Sequence, residues 1–287
     1  MAERPLPAFL STHPRSVLIE LTEAKGSTPR EAGTFMLVSE HAIWGTIGGG
    51  QFEYMAIDNA RALLSGRGEA VMDIPLGPEI GQCCGGRTKL SFATIDENLA
   101  ASLEKRLSDE ADERPAVFLF GSGHVGLALT KALLPLPFAV SVIETRAEAL
   151  EELPAGVARH LSVMPEAFVE NIPAGGAAII LTHDHALDFL IAAEALARDD
   201  LAYIGMIGSA TKRATFSSWL RRQAVNETAQ QETGDAETML SRLILPVGGS
   251  AVKDKRPEVI AAMVAAELLT VYAGKNHHPS RAKIPVG

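Results

Sequence analysis

The two cysteines of this chain, Cys83 and Cys84, are adjacent, and their thiols offer the most distinctive chemistry in the sequence. They lie in segment 81–86, Gly-Gln-Cys-Cys-Gly-Gly, where glycines allow a backbone to approach a bound group closely. Consecutive Cα atoms are about 3.8 Å apart, whereas a relaxed disulfide usually needs about 4.4 Å or more. The pattern therefore favours two thiols that react or ligate, with two small buried hydrophobic residues as the alternative.

Glycine-rich sequence recurs in two further segments of the N-terminal part, 25–30 and 45–50. Loops without side-chain bulk usually face a ligand. Lys25 and Arg30 flank the first segment and are able to bind a phosphate or the polar edge of a pterin. Gln82, beside the thiols, is able to orient a metal oxo group or a pterin by hydrogen bonding, or to satisfy backbone groups of a turn.

A dinucleotide-type turn is predicted at residues 121–126, which read Gly-Ser-Gly-His-Val-Gly between a predicted strand and a predicted helix. Gly121, Gly123 and Gly126 allow the tight turn, the approach of backbone N–H groups to a phosphate, and close packing of helix on strand. Glu144 follows the next strand, where a ribose-binding carboxylate is expected. We predict a phosphate or nucleotide there, with an empty Rossmann domain as the alternative. His124 is interpreted as structural rather than catalytic.

Two other strand ends carry polar sequence. Gly208 and Ser209 open a helix and form a second candidate anion site, in which Lys212 and Arg213 are either counter-charges or solvated cations. A second polar segment, 182–185, holds two histidines with a single residue between them, a spacing that favours a pocket or capping role over zinc.

The elements that position these residues fall into two groups. Before residue 110 we predict strands at 16–24, 34–39 and 87–94 and a helix at 51–65. After residue 115 strands and helices alternate: strands at 116–120, 139–143, 177–181 and 201–207, and helices at 124–134, 187–198 and 210–222. This alternation predicts a Rossmann-like, doubly wound parallel sheet.

The fold class is therefore α/β, with a smaller mixed α/β N-terminal domain, 1–110, before a Rossmann-like domain, 115–287. The charged segment 108–115 is the predicted boundary. The polar segment 226–237 contains no large apolar residue and is predicted to be a poorly ordered loop.

Composition excludes several function classes. The chain has 287 residues, 47% of them hydrophobic, a mean hydropathy of +0.12 and a net charge of −9. Such a charge disfavours nucleic acid and anionic membranes as partners. The start lacks an apolar core of signal-peptide type, and adjacent cysteines without distant partners fit a reducing compartment, so a cytoplasmic location is expected.

Five segments taken together resemble the XdhC and CoxI family, the accessory proteins of xanthine dehydrogenase. These segments are residues 25–30, 45–50, 76–86, 120–126 and 203–209. The resemblance extends from about Ser16 to Ala273, and the order of the motifs is more specific than any one of them. The family commonly carries Asp-Pro-Arg after the second Rossmann strand, where this chain has Glu144, Thr145 and Arg146.

The resemblance implies a non-enzymatic chaperone for the molybdenum cofactor. Such a protein binds molybdopterin carrying molybdenum, protects it while a cysteine desulfurase supplies the terminal sulfido ligand, and delivers it to apo-xanthine dehydrogenase or a related molybdoenzyme. A homodimer is also implied. Molybdenum with sulfur ligands is soft, so Cys83 or Cys84 is expected to ligate it, to carry sulfur or only to shape the loop. The cofactor's phosphate is expected at a helix N-terminus of the Rossmann-like domain, across one cleft from the thiols.

Two competing functions remain from the residues alone. The first is an NAD(P)-dependent oxidoreductase, which the turn and Glu144 favour and which leaves the cysteine loop unexplained. The second is an interaction scaffold with an unoccupied Rossmann domain, which predicts that no cofactor is retained.

Overall fold

A computed structural model describes residues 5–77, 85–227 and 233–273 of this protein, with side chains described outside 224–236. These residues form two compact units, one on each side of the Glu110–Ala111 bond. The first unit contains an antiparallel sheet and the second a parallel sheet. The predicted fold class is thereby confirmed.

The first unit has strands β1–β5 and helices α1–α3. The strands are β1 (Ser16–Lys25), β2 (Phe35–Ser39), β3 (Ile43–Gly45), β4 (Val71–Pro75) and β5 (Arg87–Thr94), in the order β3-β2-β1-β5-β4. The helices are α1 (Leu6–Thr12), α2 (Gly50–Leu64) and α3 (Glu97–Asp112).

Strand β1 is central to this sheet and buried on both faces. Its alternate residues Val17 and Ile19 pack with α2, whereas Leu18 packs with α1 and with Leu103 of α3. Because successive strand side chains point to opposite faces, one apolar run supports helices on both sides. The N-terminal unit is therefore a sheet between two helical layers.

The second unit has six parallel strands. They are β6 (Ala116–Phe120), β7 (Ala139–Glu144), β8 (Ala158–Leu161), β9 (Ala177–Ile180), β10 (Tyr203–Met206) and β11 (Leu243–Ile244), in the order β11-β10-β9-β6-β7-β8. The helices are α4 (His124–Leu133), α5 (Ala147–Glu151), α6 (His185–Ala197), α7 (Ala210–Glu227), α8 (Thr233–Arg242) and α9 (Pro257–Ala273), with a 3-10 helix at Pro165–Asn171.

This strand order places the first strand of the unit, β6, between β7 and β9, so the connections leave β6 in opposite directions. Ligands of such sheets bind at the carboxyl ends of the strands beside this switch point. Val117 and Leu119 of β6 pack with α4 and α9, and Phe118 and Phe120 pack with α6 and α7. The buried sheet thus fixes the turns that follow β6, β7 and β9.

Two segments differ from their sequence-based predictions. The charged segment 108–115 is helical as far as Asp112, and i,i+4 pairs of Lys105 with Asp109 and of Arg106 with Glu110 support that helix. The predicted loop 226–237 is wrong at both ends, because α7 continues to Glu227 and α8 begins at Thr233.

Candidate functional site

The glycine-rich segments of the first unit converge at the end of β1. Gly85, which follows the cysteines, pairs with Ser27 in an isolated parallel bridge. A Cβ on Gly86 would lie 2.3 Å from the carbonyl oxygen of Ser27 and 2.8 Å from that of Lys25. Only glycine fits this approach of two backbones. The described end of the cysteine segment is therefore packed on the segment 25–27.

The third glycine-rich segment, 45–50, packs on the other end of segment 25–30. A Cβ on Gly48, whose φ is +133°, would lie 2.8 Å from the Pro29 ring. Glu53 of α2 holds this segment, since its carboxylate accepts hydrogen bonds from the Thr46 hydroxyl and from the N–H groups of Ile47 and Gly49. Segment 25–30 is therefore in contact with both of the other glycine-rich segments, whereas the expectation that these loops face a ligand stays a prediction.

The cysteines themselves lie outside the described residues, as does Gln82. On either side of them, the N–H of Gly85 donates to the carbonyl of Leu76 at 2.8 Å, and the N–H of Leu76 donates to that of Gly86 at 2.7 Å. The segment that carries the thiols is thus closed at its base by paired backbone. The roles of Gln82, Cys83 and Cys84 stay predictions, as does one cleft that joins the thiols to the turn at Gly121.

We expect Gly86→Ala to lower stability by about 1–3 kcal/mol, because an added methyl group there must displace backbone. Thermal unfolding of the variant measures this loss. Gly77→Ala is the matched control, since in the part of the chain that the structure describes no atom lies within 4 Å of a Cβ at that flank of the same segment. Equal melting temperatures for the two variants would show that the packing of Gly86 on residues 25–27 contributes nothing.

In the second unit the turn after β6 needs glycine at two positions. Gly121 has a φ of +108°, and a Cβ there would lie 2.9 Å from the carbonyl of Leu181. A Cβ on Gly126 would lie 2.2 Å from the carbonyl oxygen of Gly121. The first glycine lets the turn pass the end of β9, and the last packs α4 against the turn.

Gly123 differs from both, because no atom of the described residues lies within 4 Å of the position of its Cβ and its backbone is extended, with φ −61° and ψ −172°. Packing of the described residues therefore does not require glycine here, and the predicted approach of a ligand to this backbone stays a prediction. Gly123 precedes α4 as its N-cap without a side-chain cap, and no acceptor in the described part of the chain pairs with the N–H of His124 or Val125. The His124 side chain is exposed.

Glu144, at the end of β7, is buried with a relative exposure of 4%. It connects the turn after β6 with the turn after β7. Its Oε2 accepts hydrogen bonds from the N–H of Ser122 at 2.9 Å, from the Ser122 hydroxyl at 2.8 Å and from Nη2 of Arg146 at 3.0 Å. Its Oε1 accepts from the N–H groups of Thr145 and Arg146, from the Thr145 hydroxyl and from Nε of Arg146. The carboxylate therefore clamps the β6 turn to the β7 turn.

Burial opposes the ionisation of Glu144, but hydrogen bonds from Arg146 and Ser122 outweigh it and lower its pKa from 4.5 to about 2. Because the folded-state pKa lies below the unfolded value, Glu144 stabilises the fold fully above about pH 4.5, and this stability is lost as the pH falls towards 2. We expect urea unfolding between pH 7 and 3 to show a steeper acid loss for wild type than for Glu144→Gln. Glu148→Gln, at an exposed position of α5, is the control. Parallel pH profiles for wild type and Glu144→Gln would contradict the shift.

A small cleft opens at these turns. It is lined from β6, β7 and β9, the strands that flank the switch point. The lining residues include Gly121, Gly123, Glu144, Arg146, Thr182 and His183. Of the residues predicted from the sequence, the structure therefore brings together the first two turn glycines, Glu144 and His183.

The second predicted anion site is built differently. Lys212 is buried, its Nζ donates to Asp188 and, at 2.9 Å, to the carbonyl of Ile207, and Asp188 has no exposed surface. A Cβ on Gly208 would lie 2.6 Å from Cδ of Lys212, so Gly208 leaves room for that side chain. Lys212 is thus neither a solvated cation nor a free counter-charge.

The remaining residues of that site hold helix ends. The Ser209 hydroxyl accepts from the N–H of Lys212 at 3.4 Å, as an N-cap of α7 does. Arg213 donates to the carbonyls of Leu240, Leu243 and Leu245, which ties α7 to β11. A cofactor-binding role for Gly208 and Ser209 stays a prediction.

The histidines of segment 182–185 are exposed, and Asp184 between them caps α6 by accepting from the N–H of Ala186. Within residues 5–77, 85–227 and 233–273 no cluster of three His, Cys, Asp or Glu side chains has the arrangement of a metal site. Across the same described ranges, no helix is both long and apolar enough to span a membrane.

Sequence reasoning missed Asp188 and the exposed edge of Arg146. Asp188 is the acidic residue of an otherwise apolar stretch of α6, which is a signal of a buried partner. Its partner is 24 residues away, in α7. Arg146 was noticed as part of a motif but not as a wall of the cleft, because the cleft depends on the order of the strands.

The fold and the turn geometry define a Rossmann-type protein, and comparison with known families gives the particular one: the chain belongs to the XdhC and CoxI family. The model of the XdhC Rossmann domain matches residues 117–268, more than half of the chain. The model of the XdhC and CoxI family matches residues 10–74. The resemblance expected from the motifs is confirmed.

Two known proteins illustrate this similarity. The chain is 27% identical over 282 residues to the Escherichia coli (strain K12) protein called uncharacterized protein YqeB, and the match covers 91% of this chain and 44% of YqeB. The chain therefore spans less than half the length of that relative. A crystal structure of a Bacillus halodurans protein described as a xanthine dehydrogenase matches with a TM-score of 0.75 and 16% identity, over 96% of both chains, which shows a shared fold.

Proposed function

We propose that this chain is a maturation factor for xanthine dehydrogenase or a related molybdoenzyme. Its cargo is the molybdenum cofactor, which it binds, protects while a cysteine desulfurase supplies the terminal sulfido ligand, and passes to the apo-enzyme. Membership of the XdhC and CoxI family supports this role. The observation that carries it is the packing of segment 25–30 against both the base of the cysteine segment and the glycine-rich segment 45–50.

The chemistry of the cysteine segment suits such a cargo. Thiolates prefer soft metals, and molybdenum with dithiolene and sulfido ligands belongs to that class. A thiol beside hydrogen-bond donors costs less to ionise than a thiol in an apolar core. Reversible ligation by Cys83 or Cys84 therefore holds the metal without a permanent bond. The close packing of Gly86 on residues 25–27 supports a segment with a fixed base.

The Rossmann-like unit suits the phosphate of the same cargo. Helix α4 directs N–H groups without protein acceptors at the open side of Gly123, and its N-terminus carries positive potential. The space left at Gly123 is what a phosphate oxygen needs in order to approach the backbone. The residues present therefore fit a phosphate-bearing ligand.

The test is cofactor retention. Wild type, Cys83→Ala and Cys84→Ala are purified from cells that make molybdopterin, and molybdenum and the fluorescent oxidised pterin are measured per chain. We expect both on wild type and a loss of at least about tenfold in molybdenum on one or both variants. Gly77→Ala controls for the segment. A wild-type chain without pterin would overturn the proposed function, and full retention by both variants would overturn the thiol role.

The proposal includes partners. A homodimer is expected, and it is tested by light scattering of the purified chain. Transfer to the apo-enzyme is tested by mixing the loaded chain with apo-xanthine dehydrogenase and measuring purine oxidation. Addition of a cysteine desulfurase with cysteine should raise that activity if sulfuration occurs on this chain.

A second candidate is an NAD(P)-dependent oxidoreductase, which the position of the cleft at the strand switch point favours. His183 is the cleft residue able to donate a proton in that reaction. Turnover of NADH or NADPH with carbonyl or imine substrates would support it. Binding without turnover would leave the accessory role as the better account.

A further inference from the structure

Hydrogen-bond donors of the protein occupy the lone pairs of the Glu144 carboxylate. A carboxylate offers about four lone-pair sites. Both oxygens of Glu144 already accept hydrogen bonds from Ser122, Thr145 and Arg146, at distances between 2.8 and 3.2 Å. A ribose hydroxyl that reached this carboxylate would have to displace one of these donors. The usual contact by which a Rossmann acid selects a ribose diol is therefore occupied.

Arg146 has the opposite property, because part of its donor set has no acceptor among the described residues. It donates to Glu144 through Nε, at 3.2 Å, and through Nη2, at 3.0 Å. A guanidinium has five N–H donors, so the edge formed by Nη1 and the second N–H of Nη2 remains. No acceptor in the described residues pairs with Nη1, the side chain is 47% exposed, and Arg146 lines the cleft.

The contact with Glu144 prepares that edge for an anion. Two parallel donors of a guanidinium match two oxygens of a phosphate, and the pairing is strongest when the group is already held in place. Glu144 orients Arg146 and is itself neutralised by the ion pair, so an incoming dianion does not meet an uncompensated carboxylate. Gly123, which also lines the cleft, leaves space at the position of its own Cβ.

We propose that the cleft recognises a phosphomonoester through the free edge of Arg146, with Glu144 as the residue that positions Arg146 rather than as a ribose ligand. Only the identity of the natural ligand rests on the proposed function. That ligand is the molybdenum cofactor, and its terminal phosphate is a phosphomonoester. A nucleotide 2′-phosphate is the other source of the same chemistry. Ligands that present a ribose diol in place of the phosphate bind weakly.

NADP⁺ and NAD⁺ test this directly, because they differ by one phosphomonoester. Calorimetric titration of the full chain should give NADP⁺ an affinity about tenfold to a hundredfold above that of NAD⁺, the range expected for charge-assisted hydrogen bonds. Arg146→Gln should reduce this ratio to near one. Arg256→Gln is the matched control, since Arg256 makes the same bidentate contact, to Asp254, outside the cleft lining. It should leave the ratio unchanged.

A second arm identifies the source of the phosphate. Pterin content is measured on Arg146→Gln and Arg256→Gln purified from cells that make molybdopterin. A loss confined to Arg146→Gln supports recognition of the pterin's phosphate, and a changed dinucleotide ratio supports recognition of a nucleotide. The inference is overturned if Arg146→Gln alters neither the dinucleotide ratio nor the pterin content.

The positioning role has its own readout. Glu144→Gln should lower the ratio of NADP⁺ affinity to NAD⁺ affinity as Arg146→Gln does, because Arg146 then loses the carboxylate that positions it. The ratio is the readout because a general loss of stability does not change it. A Glu144→Gln chain that gains affinity for neither dinucleotide and keeps the wild-type ratio would show that Glu144 does not position Arg146. A wild-type chain that carries no pterin but discriminates the dinucleotides would refute the proposed cargo and support this inference.

Discussion

Lys212→Met is expected to destabilise the second unit by about 3–5 kcal/mol, because it leaves the carboxylate of Asp188 buried without its cation. Asp188 also accepts from the Thr182 hydroxyl at 2.6 Å and from the Thr182 N–H at 3.2 Å, so this ion pair holds a residue of the cleft wall. Urea unfolding followed by circular dichroism measures the loss. Ligand affinity at the cleft should fall with it.

Two further variants identify the cause. Lys253→Met removes an exposed lysine from the loop before α9 and should change stability by less than about 0.5 kcal/mol. Asp188→Asn combined with Lys212→Met should recover part of the loss, because an uncharged amide can still accept from Thr182. A double variant as unstable as Lys212→Met alone would show that lost packing of the lysine stem, rather than the stranded charge, explains the effect.

Arg106→Met is expected to cost the first unit about 3 kcal/mol or more. Arg106 of α3 donates through Nη1 to Glu20 of β1 at 3.0 Å and through Nη2 to the carbonyl of Gly33 at 2.5 Å, and it lies over the Phe35 ring. The Glu20 side chain is only 2% exposed, so water does not replace the guanidinium. The contact connects the helix to both ends of the chain segment that carries residues 25–30.

The matched control lies next to it on the same helix. Lys105 pairs with Asp109 at 2.6 Å, but its side chain is 75% exposed, so Lys105→Met should cost no more than about 0.5 kcal/mol. Denaturant unfolding of both variants gives the comparison. If Arg106→Met is as mild as Lys105→Met, α3 is held by its apolar contacts at Leu99, Leu103 and Leu107.

The alternating strands and helices of the second unit could be predicted from the sequence because their residues report on burial directly. Strand β6 was predicted with the bounds that the structure has, since a parallel strand is apolar on both faces. The short strands β3, β4, β8 and β11 were missed. They lie at sheet edges, pair on one side within the described residues, and so carry no continuous apolar run.

For the candidate sites, the sequence indicated which residues were worth locating and the structure decided what they touch. Gly121 and Gly126 were predicted from spacing, and the clashes that a Cβ would cause give the reason for two glycines of that motif. Lys212 looked like a solvated cation or a counter-charge and is instead buried against Asp188. Charge type is local, whereas desolvation depends on elements that are distant in the chain.

By itself the sequence determined the fold class, the family and the turn at residues 121–126, because apolar periodicity and glycine spacing are properties of short segments. Tertiary structure alone decided that the glycine-rich segments of the first unit contact one another, that the Glu144 carboxylate accepts hydrogen bonds from protein donors, and that Arg146 lines the cleft. Those facts depend on strand order and on which backbones approach each other, and neither is written in any local pattern of residues.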